Sequence, residues 1–217
     1  MSDSTSTLGK KPAKTPAKKS PGSYHHGELR ASLIEAADII LQRDGADALS
    51  LRAIAAEVGV SHMAPYSHFK NKKELIEAVT DMGFEQLADA MTAAAKRDGT
   101  DKDLVLTYGA AYLEFAIGNP QLYRLMLGQI ESRGRKKASI EKVALSNPNL
   151  SQSIKRPFKL LHSAFAATLS DEEQVANKAL GAWALVHGLS ALAIEERIVI
   201  PQGVSLKDFL LAVTPQR

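Results

Sequence analysis

From Leu29 onward the apolar positions Leu33, Ala36, Ala37, Ile40 and Leu41 recur at i, i+3, i+4, i+7 and i+8, one face of a helix, and the pattern stops at Asp44-Gly45. A shorter pattern follows at once. Ser50 stands where a helix cap belongs, Leu51, Ile54, Ala55 and Val58 make the buried face, and Gly59 falls where a left-handed residue ends a helix. Ser61 predicts the cap of a third helix carrying Tyr66 and Phe69, with Val60, Tyr66 and Phe69 in the inward and flanking positions. Asn71-Lys-Lys-Glu74 reads as a loose capping box opening a fourth helix, whose stripe Leu75, Val79, Met82, Leu87, Ala90 and Met91 is long enough to leave the first domain and enter the second.

Past Asp98-Gly99-Thr100 a new helix carries Leu104, Tyr108, Ala111, Tyr112 and Phe115 and stops at Gly118. Asn119-Pro120 predicts a restart, a cap residue with proline at the first helical position, leading into Leu122, Tyr123, Leu125, Met126 and Leu127. The pattern weakens from Glu131 to Lys159, where eight basic residues stand against Glu131 and Glu141. A mobile surface loop is expected there, ahead of a helix around 154–169. Ser170-Asp-Glu-Glu173 reads as a capping box for a long apolar helix from Glu172 to Arg197, and Leu206 to Val213 forms a last amphipathic piece after Pro201-Gln-Gly203. Alternating β-branched runs are missing. The fold class expected is all-α: a three-helix head, residues 23–80, and a larger helical body, residues 81–217.

Composition narrows the chemistry. At 217 residues and 45% hydrophobic content the chain can bury one sizeable core, or a small domain joined to a larger one. With no cysteine, disulfides, thiolate metal sites and cysteine nucleophiles are excluded. The first twenty residues lack the apolar segment of a secretory signal, and the longest apolar stretch, Ala179 to Ile194, falls short of a membrane span. A cytoplasmic setting is expected. The formal charge of +3 is unevenly spread. Five lysines against Asp3 leave residues 1–22, built otherwise of Ser, Thr, Pro, Ala and Gly, as a basic tail expected to be disordered. Between Ser50 and Lys73, Arg52, Lys70, Lys72 and Lys73 stand against Glu57, a local excess of three positive charges where phosphate could be met.

Two short helices joined by Gly59-Val60-Ser61 make a helix-turn-helix, in which the second helix enters the DNA major groove while the first braces it. His62 can donate to a purine acceptor, Met63 and Ala64 can pack on a thymine methyl, and Arg52 can contact guanine through both arms of its guanidinium. Tyr66, His68, Lys72 and Lys73 read as phosphate contacts, and Ser50 and Ser61, at the starts of the two helices, belong to the same surface. One such element covers few base pairs, so a palindromic operator and a homodimer are expected. The remaining chemistry is sparse. His25 and His26 splay apart on a helix with no carboxylate at a matching offset, so no metal or cofactor is expected.

The run Leu49-Ser-Leu-Arg-Ala-Ile-Ala-Ala-Glu-Val-Gly-Val-Ser61, followed by Pro65-Tyr66-Ser-His68-Phe69-Lys-Asn-Lys72-Lys-Glu-Leu75, resembles the DNA-binding domain of the tetracycline-repressor (TetR) family over residues 24–80. Tyr24-His-His-Gly-Glu-Leu-Arg30 and Trp183-x-x-x-His187-Gly188 resemble its subgroup with a Trp-His-Gly signature. The resemblance implies a two-domain homodimer and a transcriptional regulator, in the commonest form a repressor released by a small-molecule effector. Met63-Ala64-Pro65 departs from the small pair many members carry, which puts the base contacts in question before the fold. Effector candidates are Tyr112, Phe115, Tyr123, Met126, His162, Trp183 and His187, together with Tyr108; each is either a cavity wall or plain core. Two other classes stay open: a protein coating nucleic acid without sequence preference through its lysine tail, and a helical enzyme, although neither Gly-x-Ser-x-Gly, His-Glu-x-x-His nor a glycine-rich phosphate loop is present.

Overall fold

The computed structural model describes residues 26–98, 103–134 and 148–214. The lysine tail and the segment 135–147, with most of the expected surface loop, lie outside the described residues. Those described are helical, with no strand among them: α1 (His26–Asp44), α2 (Leu51–Val58), α3 (Lys72–Asp98), α4 (Leu104–Gly118), α5 (Pro120–Gly134), α6 (Pro148–Ala166), α7 (Glu172–Ile194) and α8 (Leu206–Val213).

The head is assembled as its pattern dictates. Leu33, Ala37 and Leu41 of α1 are fully buried with Ile54 of α2, Leu49 before it and Phe69 after it, and each of the leucines, Ile54 and Phe69 contributes about 1.5–3 kcal/mol by leaving water. The Ser50 hydroxyl accepts the Ala53 amide at 3.1 Å and opens α2, while Gly59, at φ 78°, ends it in the left-handed region. Arg43 of α1 reaches Glu57 of α2 at 3.2 Å.

The third helix expected from Ser61 is instead a single 3-10 turn, Ala64–Ser67. Pro65 has no amide to offer the Ser61 carbonyl, which accepts from Ala64 N at 2.9 Å, one residue earlier than an α-helix would allow. The capping box at Asn71 forms by half: Asn71 Oδ1 accepts from Glu74 N at 3.1 Å, but the Glu74 carboxylate turns back to the Lys70 amide, at 2.8 Å, rather than to Asn71.

The body packs around α3, which passes the expected boundary at residue 80 without a break and lies chiefly against α6 and α4. Gly83 is what lets α3 and α5 approach: a Cβ there would stand 2.7 Å from Met126 Sδ. α5 starts at Pro120, where Asn119-Pro120 placed it, and Asn119 Nδ2 donates back to the Phe115 carbonyl at 2.9 Å, closing α4. Two features of α7 differ from expectation. The cap of α7 is Asp171, not Ser170: its carboxylate accepts from Gln174 N at 3.0 Å and leaves Glu172 and Glu173 in the first turn, where the helix dipole favours them. The same helix stops at Ile194 rather than Arg197, because Glu196 turns left-handed (φ 54°) and the Arg197 and Glu196 amides fold back to Leu192 O (2.8 Å) and Ala193 O (3.1 Å). From α5, Arg124 seals that end, donating to the Ile194 carbonyl at 3.1 Å and to Glu195 at 2.9 Å.

Buried side chains form one continuous cluster from Leu33 in α1 to Leu210 in α8. Head and body are therefore not separated by a solvated linker: besides the shared α3, α1 touches α5 directly. No helix among the described residues is long and apolar enough to cross a membrane.

Candidate functional site

Around the turn, the structure sorts the predicted contacts by exposure. Arg52, in the first turn of α2, is exposed and has no carboxylate partner among the described residues, and Ser61 and His62 are exposed in the turn itself. Met63 is 68% exposed, a large apolar side chain that nothing in its own domain covers. Tyr66, expected to face inward or sideways, is 53% exposed; the inward position is taken by Pro65, which is buried, and Ala64 is half-buried. The proline that tightens the turn thus also anchors it. His68 is half-buried against Phe69, with 6.5 Å between ring centroids, and Ser50 is held by its capping bond. Phe69, fully buried, carries the Arg30 guanidinium over its ring at 5.3 Å, which brings a further cation of α1 to this surface. The sequence marked Arg30 only as the end of the Tyr24 to Arg30 run, not as a residue of this surface.

The local excess of positive charge is smaller than residues 50–73 imply. Lys70 lies 3.9 Å from Glu74 and Lys73 lies 3.9 Å from Glu77, acids just past the window that the charge count covered. Lys72 differs: its Nζ donates to the Ala46 carbonyl at 3.4 Å, tying α3 to the turn after α1 while the charge stays exposed. Among the described residues, Arg30, Arg52 and Lys72 are the cations of this surface without a carboxylate partner.

In the body a second constellation forms on α4, α5, α6 and α7. The Tyr112 and Tyr123 hydroxyls are 3.1 Å apart, and His187 Nδ1 lies 3.4 Å from the first and 3.3 Å from the second. Burial, then the neighbouring Tyr123 phenol, pushes the Tyr112 phenol well above its ordinary range. Burial also raises Tyr123, against the opposing pull of its hydrogen bond with Tyr112. Both phenols therefore keep their protons, and the triangle is satisfied when one hydroxyl donates to the other and the second donates to Nδ1. Trp183 lies over His187 (5.5 Å between ring centroids), and Phe158 meets Trp183 edge-on at 6.1 Å. A file of rings thus runs from the buried tyrosines to the surface. It opens into a groove of about 520 Å³ between α6 and α7, lined by Ile154, Lys155, Phe158, Lys159, His162, Leu180 and Trp183.

Of the effector candidates, His162 and Trp183 line this groove and Tyr112, Tyr123 and His187 form the triangle behind it. The others lie elsewhere: Met126 is buried against Gly83, Tyr108 is buried in the core, and Phe115 packs against that core. Sequence reasoning missed Phe158, Lys155 and Lys159, which sit in the stretch where the helical pattern looked weakest. It also missed Arg156, on the opposite side of α6, whose guanidinium forks onto two acids of α3, Glu85 and, at 2.6 Å, Asp89.

A helix-turn-helix head fused through a long helix to an all-helical body defines a DNA-binding transcriptional regulator. Residues 33–79 match the family "Bacterial regulatory proteins, tetR family" and residues 105–210 match "Tetracyclin repressor-like, C-terminal domain"; the chain belongs to the tetR family. Among solved structures it is similar to a protein of unknown function from Rhodococcus sp. RHA1, at 28% identity over 88% of this chain and 94% of that one, with a TM-score of 0.69. A tetR-family regulatory protein from Rhodococcus RHA1 matches at 22% identity over 85% and 92% of the two chains, TM-score 0.56. The multidrug binding protein EbrR, complexed with imidazole, matches at 18% over 81% and 98%, TM-score 0.50. At those identities the last two speak to the fold alone.

Proposed function

We propose that this regulator is a cytoplasmic repressor that binds a two-fold symmetric operator as a homodimer and is released when a small molecule occupies the body. The observation that carries the DNA reading is the group Arg52, His62 and Met63, exposed around a turn whose backbone is fixed from beneath by buried Pro65 and Phe69. Arg52 takes guanine, His62 a purine acceptor, Met63 and Ala64 a thymine methyl. Tyr66, His68, Lys72, Lys73, Ser50 and Ser61 serve the phosphates, with Lys72 the strongest of them because it has no carboxylate beside it. Residues 23–80 act as head and 81–217 as body.

Dimerisation is supported by the outer face of α7, where Leu180 and Leu192 are 53% and 44% exposed with Gly181 and Ala184 beside them, and by exposed Leu211 and Val213 of α8. A second copy of the same two helices would cover them isologously. Leu189, on the same helix, packs against the chain's own core, so Leu180 is the residue that tests the interface. Release is supported by the Tyr112, Tyr123 and His187 triangle inside the body and by the Arg156 fork, which joins α6 to the long helix α3.

The test is binding-site selection with the full chain on random duplex DNA. A palindrome is expected, its half-sites about one helical turn apart. Recovery of sequence-independent fragments would instead support the coating reading through the lysine tail.

A further inference from the structure

Most of the positive charge that DNA would attract precedes the first helix. Five lysines against Asp3 give residues 1–22 an excess of four positive charges, which leaves the rest of a +3 chain with one net negative charge. In the head, Lys70 and Lys73 lie beside Glu74 and Glu77, so Arg30, Arg52 and Lys72 are the cations free to meet phosphate among the described residues. So few contacts release few counterions.

Arg30 marks where the lysine run joins the head. It is exposed one turn into α1, with its guanidinium 5.3 Å over the ring of Phe69, the buried anchor that follows the turn Ala64–Ser67. The start of α1 at His26 is about 6 Å from Arg30 along the helix axis, so the preceding chain joins the head beside the surface that meets DNA. Lys10, Lys11, Lys14, Lys18 and Lys19 stand 7 to 16 residues ahead of His26. Full extension limits Lys19 to about 25 Å from His26 and Lys10 to about 55 Å. A major groove and the minor groove that flanks it are half a duplex turn apart, about 17 Å, so all five lysines can reach DNA just outside a half-site. Nearby acids are poorer partners, because Glu74, Glu77, Glu85 and Asp89 of α3 already hold cations; Glu28, in the first turn of α1, offsets one charge.

We propose that Arg30 and the lysine run form a second DNA contact, on the phosphates that border the minor groove at the outer flank of each half-site. The proposal rests on the operator reading above and extends it: the turn reads bases, and the arm adds length and ionic affinity without adding sequence. Stacked on Phe69, Arg30 is set toward the phosphate at the boundary between half-site and flank. The lysines, flexible point charges, take the phosphates beyond it. Each phosphate neutralised steepens the salt dependence by about 0.9, so two arms that engage half of their lysines steepen it by about 4 to 5.

The native chain is compared with the variant Lys10→Gln, Lys11→Gln, Lys14→Gln, Lys18→Gln, Lys19→Gln on the selected operator in two duplexes. One is trimmed at the outer edges of the half-sites, and the other carries about one further turn of random sequence on each side. For the native chain the flanks are expected to raise affinity at least about tenfold at low salt, with hydroxyl-radical protection extending into them. In the variant both effects should vanish and the salt slope on the flanked duplex should fall by about 4, while an unchanged central footprint shows that the head is folded. Arg30→Gln should lose protection at the half-site boundary and keep it further out; intact boundary protection would overturn the role of Arg30. If native chain and variant bind the flanked duplex with equal affinity and equal slope, the proposal is overturned and the operator reading stands. If the variant weakens by one factor on flanked, trimmed and random duplexes with its footprint unchanged, the arm coats DNA without regard to the site, which also overturns the proposal. If no form of the chain protects a discrete site, the operator reading falls with it.

Discussion

The Ser50 hydroxyl, accepting the Ala53 amide at 3.1 Å, positions the first turn of α2 and with it Arg52. Ser50→Ala should lower stability by about 1 kcal/mol in chemical denaturation, the usual worth of a lost N-cap. Arg52→Ala should cost operator binding roughly 1–3 kcal/mol and relax preference at one base pair, whereas Lys72→Ala should weaken binding to every sequence and reduce the salt slope by about 1. Competition titrations at several salt concentrations distinguish the two; a changed base preference in Lys72→Ala would exchange the roles. At Glu196 the left-handed backbone strains a side chain that glycine would not carry. Glu196→Gly should therefore raise stability by about 0.5–1 kcal/mol, read from the denaturation midpoint. The tyrosine pair has a pH signature. Folding raises both phenols, so their contribution is fully present below the unfolded value of about 10 and is lost as pH climbs through the folded values above it. Melting temperatures of the native chain should fall more steeply above that pH than those of Tyr112→Phe, Tyr123→Phe; parallel curves would mean the phenols are not held neutral.

In the proposed release α6 would carry the signal, because the Arg156 fork ties it to α3. Pro157 at its centre removes one backbone hydrogen bond, which leaves the helix easier to deform. Arg156→Ala should leave operator affinity within about threefold but move the ratio of affinities without and with a saturating effector toward one, as loss of coupling requires. An undiminished ratio would route the signal elsewhere. Much of this element scale was legible beforehand. α1, α2, α3 and α8 show their apolar stripes in sequence, and α2 its caps, because the residues that each buries recur at helical spacing. What stayed hidden depends on contacts or backbone states that no local pattern encodes. The stop of α7 uses a left-handed glutamate where glycine is the usual signal, and Pro65 shortened a predicted helix to one turn. Arg156 finds its acids 71 and 67 residues away, so its basic neighbours read only as loop charge. Trp183, His187, Tyr112 and Tyr123 were recognisable as residue types; the file of rings that joins them exists only in three dimensions.

Across the whole molecule, one core runs from α1 to α8, and α3 belongs to head and body alike. A shift of α6 against α3 is therefore carried to the head rather than absorbed by a linker, and in a dimer it would change the spacing of two recognition turns. Leu180→Asp should yield monomers whose head remains folded but whose operator affinity is lost, as sedimentation and binding on one sample would show. The central claim, that two heads of one dimer read two half-sites through residues 50–73, is tested most directly by changing the spacing of the selected operator. Inserting about five base pairs between half-sites turns one of them to the opposite face of the duplex, and about ten restores the face. The account predicts that the first insertion abolishes the discrete footprint while each half-site alone binds only weakly; an undiminished footprint after the half-turn insertion would contradict it.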